Sequence, residues 1–331
     1  VNGEYTQSAA QVDEFVWKHR DCVICFAAGN EGADSDRNGV IDAGSIGSPG
    51  SAKNCITVGA TENSRSDQSK PYSLLGYAAE PIASDGWSDD PEGMVAFSSR
   101  GPTRNQRIKP DVVAPGTAIL STLSRDARID DFFGKSMDPL YAFLAGTSMA
   151  TPLVAGCAAV VREYFQTKQN HQPSAALVKA MLISGAHNII GQYARSESGR
   201  IPNFGEGFGR VDLAATVADP IAFKDEATEL DTGEEEATNI TISSSNSTLK
   251  VTLVWTDPPG EALQNDLDLI VRASDGKERH GNMRGISSKF DRFNNVEQVI
   301  WPNVPTGSVT ILVRAYRAIQ PQSYALVART S

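Results

Sequence analysis

From Ala145 to Val161 the chain reads Ala-Gly-Thr-Ser-Met-Ala-Thr-Pro followed by Leu-Val-Ala-Gly-Cys-Ala-Ala-Val-Val. An apolar run of this kind, thick with small residues, predicts a buried helix, with Val154, Ala155, Ala158, Val161 and Phe165 on its apolar face and an end near Gln166. A helix like this needs packed layers around it, which confines the chain to architectures that have them. Its start carries Ser148 beside unpaired backbone N–H groups and the positive dipole end. That setting suits a nucleophilic hydroxyl. It suits a plain Ser/Thr helix cap equally well, and this stretch by itself does not separate the two.

The preceding segments supply the layers. Ser8 to Arg20 predicts a helix with Val12, Phe15 and Val16 on one face. Cys22 to Ala28 is a continuous apolar strand, of the sort buried on both faces in parallel sheets, and Asn54 to Gly59 is a second. Helix and strand in alternation indicate an α/β fold with a parallel sheet and flanking helices. With 331 residues, two domains are expected. A net charge of -10 argues against nucleic acid or an anionic membrane as partner. No apolar run approaches the ~20 residues of a membrane-spanning helix. Cys22, Cys25, Cys55 and Cys157 lie among apolar or small residues and read as small buried hydrophobes; the Cys22-x-x-Cys25 pair has no second pair to complete a zinc site.

Loops at the carboxyl ends of parallel strands are where ligands bind. The first such loop reads Ala27-Ala28-Gly29-Asn30-Glu31-Gly32, and the Asn30 amide can donate to a developing oxyanion or simply hold a turn. Just beyond it, Asp34, Asp36, Asn38, the Val40 carbonyl and Asp42 alternate as oxygen donors, with glycine at the sixth position, Gly39. This matches the first part of an EF-hand loop and suggests calcium. Ser45 stands where the bidentate glutamate would be, so the match is partial. Glu62 to Gly93 reads as a polar surface excursion.

Two further segments follow, Phe97-Ser98-Ser99-Arg100-Gly101-Pro102 and Lys109-Pro110-Asp111-Val112-Val113-Ala114-Pro115-Gly116. Taken in order with Ala27-Ala28-Gly29-Asn30 and Gly146-Thr147-Ser148-Met149-Ala150-Thr151-Pro152, they give the chain a pattern that resembles the subtilisin-like serine proteases, the subtilases. It is most similar to the oxidatively stable alkaline protease branch, which carries a C-terminal β-sandwich. The resemblance implies that Ser148 is the nucleophile and Asn30 the oxyanion donor. It implies substrate-binding positions at Gly29, Glu31, Gly47 and Thr147, a cis bond between Ser48 and Pro49, and a structural role for Asp111. It also implies a protein or peptide substrate and a secreted, extracellular protein.

The pattern is incomplete. Subtilases order their triad Asp, His, Ser, and neither the Asp-Thr/Ser-Gly motif nor the His-Gly-Thr-His motif is in this sequence. Of the four histidines, His19 ends a helix, His171 lies about 20 residues beyond Ser148, past the far end of its helix (roughly 30 Å at ~1.5 Å per residue), His187 ends the next helix and His280 lies in the second domain. The expectation is therefore a C-terminal portion of a nicked or split protease, with an N-terminal fragment of the same protease as the partner supplying Asp and His. The alternative is an inactive fragment or pseudoprotease that acts as a binding or assembly module. A serine esterase is disfavoured, since Gly146-Thr147-Ser148-Met149-Ala150 is not the G-x-S-x-G elbow.

Beyond the Ser148 helix, Ser174 caps another through Leu177, Ala180, Met181 and Ile183. Composition shifts at Asp219, which places domains at 1–218 and 219–331. Glu226 to Glu236 reads as a solvated acidic run. Alternating segments at Leu249–Trp255, Leu267–Val271, Val309–Ala315 and Tyr324–Ala328 predict an antiparallel β-sandwich. Asp266 and Asp268 share one strand face and suggest a second calcium site.

Overall fold

The computed structural model describes residues 2–191, 199–285 and 288–330. Helix α1 (Gln7–Lys18) leads into β1 (Cys25–Ala27), β2 (Ile56–Thr61) and β3 (Val112–Pro115), a parallel sheet in the order β1-β2-β3. A small antiparallel pair follows, β4 (Ile119–Thr122) with β5 (Tyr141–Leu144). Then come α2 (Thr147–Lys168), α3 (Ala175–Gly185) and the short α4 (Leu213–Thr216).

The apolar strand alternates as its sequence requires. Val23 and Cys25 join the large core beneath α2, whereas Ile24 and Phe26 turn to Ala9, Val12 and Cys55 on the α1 side. The expectation of full burial on both faces fails, since β1 is short and only half-buried. The reason is its position: it pairs with β2 and lies at the edge of the sheet. The excursion 62–93 is also better anchored than its polarity suggested. Tyr72, Ile82 and Trp87 are fully buried within it, and Trp87 packs against Phe132 and Phe133.

The remaining strands are β6 (Ala222–Leu230), β7 (Glu235–Ile242), β8 (Leu249–Val254), β9 (Asp266–Arg272), β10 (Glu278–His280), β11 (Val296–Trp301), β12 (Gly307–Arg317) and β13 (Gln322–Thr330). They form two antiparallel four-stranded sheets, β10-β9-β12-β7 and β11-β8-β13-β6, stacked as a sandwich. The acidic run forms the end of β6, a turn and the start of β7. Glu229, Asp231, Glu234 and Glu235 are exposed, whereas Lys224 pairs with Glu236 and Arg20 with Glu226.

Strand alternation explains how the halves join. Leu249, Val251 and Leu253 of β8 point into the sandwich, whereas Val254 joins the α/β core. Helix α3 lies between α2 and the β8–β13 face, and every residue from Ala175 to Gly185 is buried. Its Ser174 cap accepts the N–H of Leu177 at 3.0 Å. Polar contacts complete the seam. Lys53 Nζ bonds Asp257 Oδ2 at 2.5 Å with both side chains fully buried, and the Asn295 amide donates to the carbonyls of Lys53 and Trp255. The sandwich is therefore fixed against the α/β half through buried side chains.

Candidate active site

Ser148 lies exposed in the first turn of α2. The N-cap residue is Gly146, at φ 148°, a conformation that a side chain rarely adopts. Glycine has no side-chain oxygen to cap the helix, so the first N–H groups must find other partners. Asn30 supplies one. Its Oδ1 accepts from Thr147 N at 2.9 Å and from Thr147 Oγ1 at 3.0 Å. Both bonds go through oxygen, and among the described residues the Asn30 amide nitrogen, beside Gly146, has no acceptor. The Ser148 N–H and hydroxyl make no hydrogen bond among the described residues. Pro152, four residues on, has no N–H to give the Ser148 carbonyl. The first turn thus presents a hydroxyl, a backbone N–H and a side-chain amide, at the positive end of a 22-residue helix with no acid in its first turn.

Thr147, which the resemblance sets among the substrate-binding positions, opens α2. It is fully buried, and its Oγ1 accepts the N–H of Gly29 at 3.3 Å while donating to Asn30. It therefore joins the strand-end loop to the helix start. Ser99 is a support the sequence reading left without a role. Its Oγ accepts the N–H of Glu31 at 3.1 Å, and a Cβ on Gly29 would fall 2.8 Å from that oxygen, so Gly29 is held to glycine by contact as well as by its φ of 111°. Gly47 donates its N–H to the Ala28 carbonyl at 2.8 Å, and Ser48-Pro49 is cis. Glu31 is exposed at the loop's outer side. Asp111 is buried between Lys109 and Lys179, at 2.6 and 2.8 Å, and accepts Thr57 N at 2.7 Å. The two ammonium groups offset the cost of burial and hold its carboxyl below the ordinary range.

None of the four histidines bonds Ser148. His171 pairs with the mostly buried Asp225 at 2.6 Å, a dyad at the far end of α2. His187 lies 3.7 Å from Glu92, His280 stacks on Phe290, and the His19 ring lies 4.5 Å from that of Phe15. Ser148 instead borders an open groove of 740 Å³ between β1 and α2, lined also by Cys22, Cys25, Ala155, Ala159 and Arg162. Helix α2 also exposes Leu153 and Val160, at 41% and 38%, outside the groove's lining. A neighbouring 450 Å³ cavity joins Asn30 to Tyr77, Phe97 and Phe133.

In the 34–42 loop, Asp34 accepts the N–H groups of Asn38 and Gly39, Asn38 Oδ1 accepts Val40 N, and Asp42 accepts Ser35 N. Among the described residues no three acidic, histidine or cysteine side chains converge to hold a metal. At Asp266 and Asp268, Arg292 bonds both carboxylates, at 3.1 and 2.5 Å, and Arg314 bonds Asp268 at 2.6 Å.

The family model Peptidase_S8, Subtilase family, matches residues 1–209. The chain belongs to the subtilase family, whose members are serine proteases. It is 26% identical over 447 aligned residues to the serine protease/ABC transporter B family protein tagD of Dictyostelium discoideum, covering 98% of this chain and 24% of that protein. It is 33% identical over 188 residues to the serine protease AprX of Bacillus subtilis (strain 168), covering 54% of this chain and 35% of AprX. The chain thus spans about a quarter to a third of the length of these relatives. Among solved structures, the Prenylagaramide maturation protease PagA aligns with a TM-score of 0.42 and 19% identity, over 65% of this chain and 56% of that one. No helix among the described residues is long and apolar enough to cross a membrane.

Proposed function

We propose that this chain carries half of the active site of a secreted serine endopeptidase. In this reading Ser148 attacks the scissile carbonyl. The Ser148 N–H and the Asn30 amide receive the oxyanion, a task that needs donors fixed before the charge develops. The observation that carries the reading is the Asn30–Thr147 bond pair, which fixes the Asn30 side chain by its oxygen and leaves its nitrogen to donate. A serine hydroxyl needs a base within ~2.6–3.2 Å. That base, with its aspartate, comes in this proposal from a further, N-terminal segment of the same protease, docked in the groove between the open edge of β1 and the small-residue face of α2. Strand pairing on β1 would satisfy its free edge. Glu31 and Gly47 remain in the proposal as substrate contacts on a peptide or protein.

A fluorophosphonate probe tests this. The chain alone is expected to label poorly, since loss of the serine or the histidine costs subtilisin about 10⁶ in kcat. Addition of a polypeptide bearing the family's Asp and His motifs is expected to restore labelling, and Ser148→Ala to abolish it. Failure to label in the presence of that polypeptide would refute the proposal and favour a non-catalytic assembly role.

Calcium at residues 34–42 belongs to the same proposal. Each carboxylate oxygen that caps the loop's own N–H groups keeps a further lone pair for a cation. Calcium is expected to raise the unfolding temperature and a chelator to lower it, with the calcium effect gone in Asp34→Ala. An unchanged melting temperature would leave the loop a self-capped acidic turn.

A further inference from the structure

The seam between the two halves encloses another cavity, of 490 Å³, whose lining includes neither Ser148 nor Asn30. Arg200, Lys250, Arg279 and Arg284 line it together with His187 and His280, and among the described residues no aspartate or glutamate does. This concentration of cations stands in a chain of net charge -10. Among the described residues none of the four permanent cations has a carboxylate within ion-pair distance. Their bonds go to neutral carbonyls instead: Lys250 Nζ to Ala186 O at 2.6 Å, Arg279 Nη1 to Ile300 O at 2.9 Å and Arg284 Nη2 to Pro202 O at 2.6 Å. The nearby acids meet other cations at the cavity's margin. Glu92 pairs with Arg210 at 2.6 Å and lies 3.7 Å from His187, Glu278 pairs with Arg272 at 2.5 Å and lies 3.7 Å from His280, and Asp212 caps α4 through Ala215 N.

Cations gathered without counter-charge repel one another; Arg200 and Arg284 are exposed, and the cost is greater at the half-buried Lys250 and Arg279. Burial already holds the Lys250 ammonium below its ordinary pKa, with Arg329 adding to the effect. The missing charge is what an oxyanion supplies, and arginine forks match its geometry. The volume is that of a small-molecule site and exceeds what one phosphate fills. Both halves of the chain contribute: Arg200 precedes the sandwich, whereas Lys250 lies on β8 and Arg279 on β10.

We propose that this cavity binds a small polyanion bearing two or more phosphoryl or sulfuryl groups, and that the bound anion ties the α/β half to the sandwich. Thermal unfolding of the full chain tests it, in pyrophosphate, in phosphate and in sodium chloride at matched ionic strength. Pyrophosphate is expected to raise the midpoint above both controls, because a ligand that binds only the folded state stabilises it by mass action. Arg279→Gln and Arg284→Gln are expected to lose that rise. Without ligand, Arg284→Gln is expected to melt no lower than the parent, since removing one cation relieves repulsion. Should either of these fail to fold, the exposed Arg200→Gln provides the same comparison. No rise over sodium chloride, an equal rise with phosphate, or a full rise retained in the folded variants would overturn the proposal.

Discussion

At the scale of single residues, the site rests on bonds that spacing does not reveal. Ser148 and Asn30 can be named from their motifs, but the link that the Thr147 hydroxyl makes between Gly29 and Asn30 cannot. The neighbours of Thr147 in sequence are small and polar whichever way it points, so only the fold shows the link. Under the proposed assembly, in which Asn30 receives the oxyanion, Thr147→Val is expected to lower kcat while leaving KM nearly unchanged, because Thr147 bonds the Asn30 side chain from a buried position. Asn30→Leu is expected to cost about 10²–10³ in kcat, the loss measured for such a donor in subtilisin and taken over from that enzyme. An equal loss expressed in KM would contradict both assignments. Glu62 gives a pH effect of definite sign. Burial raises its pKa from 4.5 to about 8, against the opposing Tyr72 hydrogen bond. The folded state therefore holds a proton that the unfolded state releases, and the stability it contributes is full below pH 4.5 and lost as pH rises through 8. Urea unfolding of the parent and of Glu62→Gln is expected to diverge over this window, by up to about 1.4 kcal/mol per pH unit. Parallel curves would show that Glu62 ionises normally.

At the scale of elements, periodicity predicted existence better than environment. The helices after Ser148 and Ser174 and four of the sandwich strands were legible because their apolar spacing is dictated by what they bury. The cap at Ser174 was legible from one hydroxyl after a proline, and Ser174→Ala is expected to cost about 1 kcal/mol in urea unfolding. Strands β6, β7, β10 and β11 were missed. In β6 and β7 the exposed face is acidic and hides the alternation, and β10 has only three residues. The burial of 62–93 was hidden for a related reason: a few large side chains, Tyr72, Ile82 and Trp87, anchor a segment that is polar on average.

At the scale of the whole molecule, helices end with α4 and the sandwich strands begin with β6, and packing is continuous between them. Val254, Val296, Ala325 and Val327 of the sandwich belong to the same core cluster as Val58 and Val154. Sequence could not show this, because a residue facing a second domain and one facing its own core are equally apolar. Calorimetry is expected to give one unfolding transition, whereas a hinged binding module would give two. Asp257→Ala leaves Lys53 buried without its partner and is expected to cost about 3–5 kcal/mol, read as a shift of that single transition. A loss below 1 kcal/mol would mean that the pair's surroundings, not the pair, hold the seam.

Helix α3 adds a constraint of timing. Its residues are apolar on every side apart from Lys179 and Ser184, and β8 and β13, which cover one flank, come later in the chain. Strand β13 ends at Thr330, so about 145 residues are made after Gly185. At translation rates of about 5–20 residues per second, that flank waits about 7–30 s for its cover. A helix that serves as the keystone of the finished protein is, during synthesis, a bare apolar surface that a chaperone could hold until the last strand emerges.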